Sequence, residues 1–168
     1  MEHKNQDKSR LAEQYDKFAD KFNELYWAGK LRGRDSMTAA LDKAHEHLVS
    51  LGEFTTEQGE ELKQYLARDL DQTIVDAQQL GDEAKERFHP ARLGAGALSS
   101  IAAVLEFGGD ALRSLSSKAK ESLGYRTGEM SSAGTLTCQA CGQTVQLKQT
   151  GHVPPCPKCS ATLFSKGY

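Results

Sequence analysis

Apolar residues step by three and four along the first eighty positions, the spacing that gathers side chains on one face of a helix. Between residues 7 and 28 the stripe is Leu11, Tyr15, Phe18, Phe22 and Leu25, and Gly29 and Gly33 supply a stop. A second helix is predicted from Asp35 or Ser36, both good caps, with Met37, Leu41, Ala44, Leu48 and Leu51 on its stripe and Gly52 closing it. The third opens at Thr55-Thr56-Glu57-Gln58, where Gln58 stands three residues after Thr55 as a capping box requires. Its stripe is Leu62, Leu66, Leu70, Ile74 and Ala77, before Gly81. A last helical stretch carries Leu98, Ile101, Leu105, Leu112 and Leu115, and Gly108-Gly109 either kinks it or divides it in two.

These stripes are narrow. Helices so patterned pack as antiparallel hairpins or coiled coils, each with one neighbour on its seam. The expected fold class is therefore mainly α, a hairpin or coiled-coil-like body. Its seams are assigned to packing within the chain, ahead of self-association or docking of a partner helix. The pattern changes near residue 124. Residues 124–134 are small and polar, the composition of a linker. Beyond them Thr135-Leu136-Thr137, Thr144-Val145-Gln146-Leu147 and Thr162-Leu163-Phe164 predict short strands. The expected division is an α-helical body over 1–123, a linker over 124–134 and a small β ribbon over 135–168.

Composition adds exclusions. With 38% hydrophobic and 26% charged residues and a mean hydropathy of -0.58, a soluble chain with a limited core is expected. The polar opening Met1-Glu2-His3-Lys4 is not the start of a signal peptide. The most apolar stretch, 93–105, is too short to span a bilayer and runs into Glu106 and Asp110. A cytoplasmic location without a membrane span is the expectation.

All four cysteines fall between residues 138 and 159, as Cys138-Gln139-Ala140-Cys141-Gly142 and Cys156-Pro157-Lys158-Cys159-Ser160. Two residues between cysteines make a tight turn that aims both sulfurs inward. Gly142 suits a left-handed position after the turn, and Pro157 stiffens the second one. Two such pairs flanking one hairpin, without an export signal, point to a four-sulfur metal site at Cys138, Cys141, Cys156 and Cys159 rather than to disulfides. One structural Zn2+ is the expected ion, because a closed shell of thiolates leaves no position for water. A unit this small cannot bury enough apolar area to fold alone, so the metal must hold it together. Iron is the minor alternative: the cysteine pattern also resembles the rubredoxin-like tail of rubrerythrins, whose helical bodies need Glu-x-x-His on two helices for a di-iron site. This chain has one such sequence, Glu86-Arg87-Phe88-His89, against Pro90.

Charge and the remaining residues bear on partners. A net charge of -2 gives no global reason to expect nucleic acid. Residues 53–90 hold ten acids and four basic residues, whereas residues 135–168 hold Lys148, Lys158, Lys166 and no acid. Zinc with four thiolates carries about -2, leaving the ribbon near +1. The three lysines, with Phe164 and Tyr168, are assigned to a solvated ribbon surface ahead of contact with RNA or DNA. The acids of the third helix are assigned to a solvent face, with a basic partner as the alternative. His152 is read as a loop residue, His45 and His47 as pointing apart on their helix, and Tyr26-Trp27 as a core plug. Neither a Ser-His-Asp setting nor a phosphate-binding loop is found, so the chain is not read as an enzyme.

Three groups of residues carry a family resemblance. Gly52-Glu53-Phe54-Thr55 leads into a helix with Glu61-Leu62 and Arg68-Asp69-Leu70; Gly134-Thr135-Leu136-Thr137-Cys138 enters the first cysteine pair; Pro155-Cys156-Pro157-Lys158-Cys159 forms the second, followed by Phe164. With the order of body, linker and ribbon, they make the chain resemble a family of small bacterial zinc-ribbon-containing proteins, a domain of unknown function. The Gly/Ala-rich stretch 93–103 departs from it. The resemblance implies zinc at the four cysteines and no particular activity. The function expected is an adaptor or regulatory role through protein–protein contacts, with a transcription- or translation-associated nucleic-acid-binding ribbon as the alternative.

Overall fold

A computed structural model describes residues 2–29, 34–80 and 124–167. The predicted helical stretch at 98–115, the sequence Glu86-Arg87-Phe88-His89, the apolar run 93–105, Gly33, Gly81 and Tyr168 lie outside the described residues. Among the described residues, three helices, α1 (Glu2–Ala28), α2 (Arg34–Ser50) and α3 (Thr56–Leu80), precede six short strands. The strands are β1 (Tyr125–Arg126), β2 (Met130–Ser131), β3 (Gly134–Cys138), β4 (Thr144–Leu147), β5 (Gly151–His152) and β6 (Leu163–Gly167). They form an antiparallel sheet in the order β1-β6-β3-β4 and a two-stranded pair, β2-β5.

Two of the helix signals act locally as their chemistry requires, whereas Asp35 and Ser36, expected as caps, lie inside α2, which begins at Arg34. The capping box forms in both directions: the Gln58 amide donates to Thr55 Oγ1 (3.2 Å), and the Thr55 amide donates to Gln58 Oε1 (3.1 Å). At the end of α2, Gly52 adopts φ 72°. Its amide reaches the Val49 carbonyl and the Glu53 amide reaches the Leu48 carbonyl, which is a Schellman closure. Leu51, expected on the α2 stripe, is instead 62% exposed. It lies beyond the last helical residue and has rotated off the buried face.

Tyr15, Phe18, Phe22, Met37, Leu41, Ala44, Leu48, Leu62, Leu66, Leu70 and Ile74 are buried together, so the stripes meet in one core. Tyr26 is buried with them and meets Trp27 edge-on. The seams are nevertheless wider than one neighbour each. Helix α3 packs against α1, α2, β2 and β6. Gly59 admits the close approach to α2, since a Cβ there would lie 2.6 Å from His45 Cδ2.

Residues 124–134 do not run free as the small, polar composition suggested. Tyr125 and Met130 are fully buried, and Met130 belongs to the helical core. The serines that looked like linker, Ser131 and Ser132, are also fully buried. Small side chains let this backbone lie close against α3, where their polar atoms find partners.

Those partners define the join between helices and ribbon. On α3, Asp69 is completely buried; its Oδ2 accepts from the Tyr15 hydroxyl (2.7 Å) and the Ser132 amide (2.7 Å). The Lys166 ammonium of β6 stands 3.5 Å from that oxygen. It donates to Ser131 Oγ (2.8 Å), the Ser132 carbonyl (2.8 Å) and Ser132 Oγ (2.7 Å). Next to it, Arg68 donates to the Met130 carbonyl (2.7 Å) and the Glu129 carboxylate, with its guanidinium 3.9 Å from the Tyr125 ring centroid. At the other side Thr150 Oγ1 donates to Asp16 on α1 (2.9 Å).

The surface assignment of Lys166 is therefore wrong: it is 3% exposed. So is the solvent assignment of Asp69. Burial works against both charges. For Asp69 it is outweighed by Lys166, Arg68, the Ser132 amide and the Tyr15 hydroxyl, which hold the carboxyl below its usual range. For Lys166 burial prevails over the attraction of Asp69, and the ammonium is pulled down to about 8. The two directions are compatible because Asp69 has four supports, whereas Lys166 meets Arg68 as a like charge.

Removing either partner leaves a buried charge unanswered. Lys166→Met should cost about 3–5 kcal/mol in urea unfolding, and Lys166→Met with Asp69→Leu distinctly less than the two single costs added. The pH signs are opposite in kind. Asp69, with its lowered pKa, contributes stability above the unfolded carboxyl value of 3.8, and that stability is lost as pH falls through its folded value. Between about 8 and 10.5 the folded chain has released the Lys166 proton that the unfolded chain still holds. In that window the wild type should gain stability relative to Lys166→Met as pH rises, read from denaturation midpoints of the two proteins.

Candidate metal centre

Both cysteine pairs are built by the same turn. In the first, the Gly142 amide donates to the Cys138 carbonyl (2.9 Å) and the Cys138 amide to the Gln143 carbonyl (2.9 Å). In the second, the Ser160 amide donates to the Cys156 carbonyl (2.9 Å) and the Cys156 amide to the Ala161 carbonyl (3.0 Å). The fifth residue of each turn is left-handed: Gly142 at φ 70°, as its position suggested, and Ser160 at φ 58°. Strand β3 carries the chain into the first turn and β4 carries it out, and β6 leaves the second. The Gln139 amide, donating to the Leu163 carbonyl (3.0 Å), ties the first turn to β6.

This folding brings Cys138, Cys141, Cys156 and Cys159 together with all four sulfurs within 4.8 Å of one another. Cys138 and Cys159 stand 3.7 Å apart, Cys141 and Cys156 3.6 Å. A disulfide requires about 2.05 Å, so these are separate thiols. Four sulfurs each about 2.3 Å from a tetrahedral ion lie ~3.8 Å apart, and the observed pairs match that spacing. Cys138 and Cys156 are buried, Cys141 half-buried and Cys159 exposed.

The charge behaviour of the bare set also fits a cation. Burial opposes ionisation of Cys156, but the amides of Cys159 and Lys158 and the thiols of Cys141 and Cys159 draw it down to about 6. At Cys159 the Ala161 amide favours the thiolate, yet Cys141, burial, Cys156 and Cys138 together push it up to about 12. Four sulfurs this close cannot all be charged unless a cation sits among them.

A second core backs the turns: Tyr125, Leu136, Val153 and Phe164 close around Cys138 and Cys156. His152 is on β5, where its Nδ1–H donates to the Gly128 carbonyl (2.6 Å), and it is not among the ligand group. His45 Nε2 faces the Thr56 carbonyl (3.3 Å), and among the described residues neither His45 nor His47 joins a metal-ligand cluster. Of the ribbon lysines, Lys148 and Lys158 are exposed. The Asp69–Lys166 contact was missed from sequence although a signal existed. Asp69 lies seven residues after Leu62, on the buried face of α3, and Lys166 lies two after Phe164, on the buried face of β6.

A β ribbon holding four convergent cysteines, mounted on a helical body, is the architecture of a metal-ribbon protein. The chain belongs to the zinc-ribbon containing domain family, which matches residues 27–167. No curated protein and no solved structure matches it. The match includes Arg68, Asp69, the four cysteines and Lys166, and begins after Tyr15.

The two turns make a matched pair of tests. Gly142→Ala places a Cβ in the left-handed region and should weaken metal retention by about 1 kcal/mol, roughly fivefold, in chelator competition. Ser160→Gly relieves the same strain and should strengthen retention or leave it unchanged.

Proposed function

We propose that the protein is a non-catalytic adaptor or regulatory protein of the cytoplasm whose ribbon holds one structural Zn2+ and whose surfaces bind a protein partner. The closed four-sulfur shell carries this reading. When bound, the ion offsets about half of the thiolate charge and links the two turns, and the protein fills every position around it. Metal-assisted hydrolysis needs an open position, which this arrangement does not offer. Family membership supports zinc over iron.

The nucleic-acid alternative draws less support than the basic tail suggested. Lys166 is engaged inside the fold, so Lys148 and Lys158 remain as the exposed lysines of the described ribbon. On α3, Glu57 and Glu61 are exposed, and Lys63 is shared by Glu60 of the same helix and Asp42 of α2. A basic protein surface complements this acidic side. Among the described residues no helix is long and apolar enough to cross a membrane.

Elemental analysis of freshly purified protein should find one zinc per chain, absent after Cys156→Ser; a red protein absorbing in the visible would assign iron instead. Affinity purification should retain a protein that Glu57→Lys with Glu61→Lys no longer holds at unchanged metal content. If no protein is retained, and RNA or DNA binds at low salt and is lost with salt and with Lys148→Gln and Lys158→Gln, the adaptor reading gives way to the nucleic-acid one.

A further inference from the structure

Strand β6 serves two structures at once. Phe164 is in register with Cys138, Leu163 accepts from Gln139 in the first turn, and Ser165 Oγ reaches the Thr137 carbonyl (3.4 Å). The strand begins four residues after Cys159, at the exit of the second turn. Both turns therefore set where β6 lies. Two residues beyond Phe164, on the same face, Lys166 meets Asp69 of α3. The Ser131-Ser132 segment that shares the ammonium also supplies the amide on Asp69, and its neighbour Met130 completes the helical core.

We propose that occupation of the four-cysteine site controls docking of the ribbon on α3, with β6 as the link: metal loss releases Lys166 and opens the helical body around Asp69. The proposal rests on the reading of the four cysteines as a metal site. Without the ion, the turns lose what holds their sulfurs together, and β6 loses its register with β3. Asp69 is then left in the core with two partners from the helices, the Tyr15 hydroxyl and the Arg68 guanidinium 3.9 Å from its Oδ1, and without the ammonium and the Ser132 amide. A buried carboxylate so reduced draws in water or protonates, and either outcome loosens α1 against α3. Arg68 loses the Met130 carbonyl and the Tyr125 ring in the same event. The two states thus differ at a helix face as well as at the ribbon, which is what a metal-dependent regulator needs to be read by a partner.

Hydrogen exchange on the full-length chain, with metal content measured alongside, tests this. On removing the metal with a chelator, exchange should rise at least tenfold in α3 over residues 66–74 and in α1 around Tyr15, together with the ribbon. In Asp69→Asn with Lys166→Met, or in Asp69→Asn alone if the pair does not fold, the ribbon should still respond while the α3 change shrinks at least threefold. A wild-type chain that releases its metal and loses ribbon protection with α3 unchanged overturns the coupling, as does a double variant that responds like the wild type. A chain that purifies without metal, and whose exchange does not change on adding zinc, overturns the metal reading and the coupling with it; metal content separates the two failures.

Discussion

A carboxylate held away from water is stable only where its charge is answered, and that requirement at Asp69 joins the two halves of this protein. One oxygen takes a hydroxyl from α1 and an amide from the segment before β3, and faces an ammonium from β6. Three separate parts of the chain must arrive together for the site to be satisfied. Replacing the cluster with apolar side chains could give as much stability. What such a substitution would not reproduce is the directionality, because Lys166 finds Ser131, Ser132 and Asp69 in only one placement of the ribbon. The polar join specifies a geometry that the apolar contacts of Met130 and Tyr125 then fill.

The ribbon itself has a different problem. Its second core consists of a few side chains around two cysteines, far short of what a unit of that size needs to fold alone. Two devices compensate. The four sulfurs converge at a spacing that suits one tetrahedral ion, and the ribbon's inner surface lies on α3 so that the helical core also serves it. Their placement in series along β6 follows from strand geometry: side chains two apart share a face, so a residue packed beside the cysteines leads directly to one packed on the helix.

Local signals were legible in the sequence and distant ones were not. The Thr55–Gln58 box, the Gly52 closure and the left-handed Gly142 each depend on a few neighbouring residues, and each forms as the chemistry predicts. The cysteines were equally plain, since spacing alone makes them converge. Leu51 continued the apolar period yet fell outside its helix, because a stripe does not mark its own end. Ser131 and Ser132 looked like linker for a sounder reason. A hydroxyl is polar in isolation, and only the arrival of Lys166, more than thirty positions later, makes it a core residue.

That misassignment has consequences for how the charges should be understood. Counting Lys166 with the surface lysines makes the ribbon look basic, and counting Asp69 with the acids of α3 makes that helix look uniformly solvated. Pairing them removes one charge from each side and turns two apparent surfaces into one interior. What remains outside is a less basic ribbon, whose thiolate site further reduces its positive charge, and an α3 whose exposed acids stand free of the ribbon join. On the proposed reading, a partner attracted by charge meets the helix rather than the ribbon, while an ion in the ribbon governs how firmly that helix is held. On that same reading the metal site and the acidic face of α3 are different places, and β6 runs between them, with Phe164 beside Cys138 and Lys166 against Asp69.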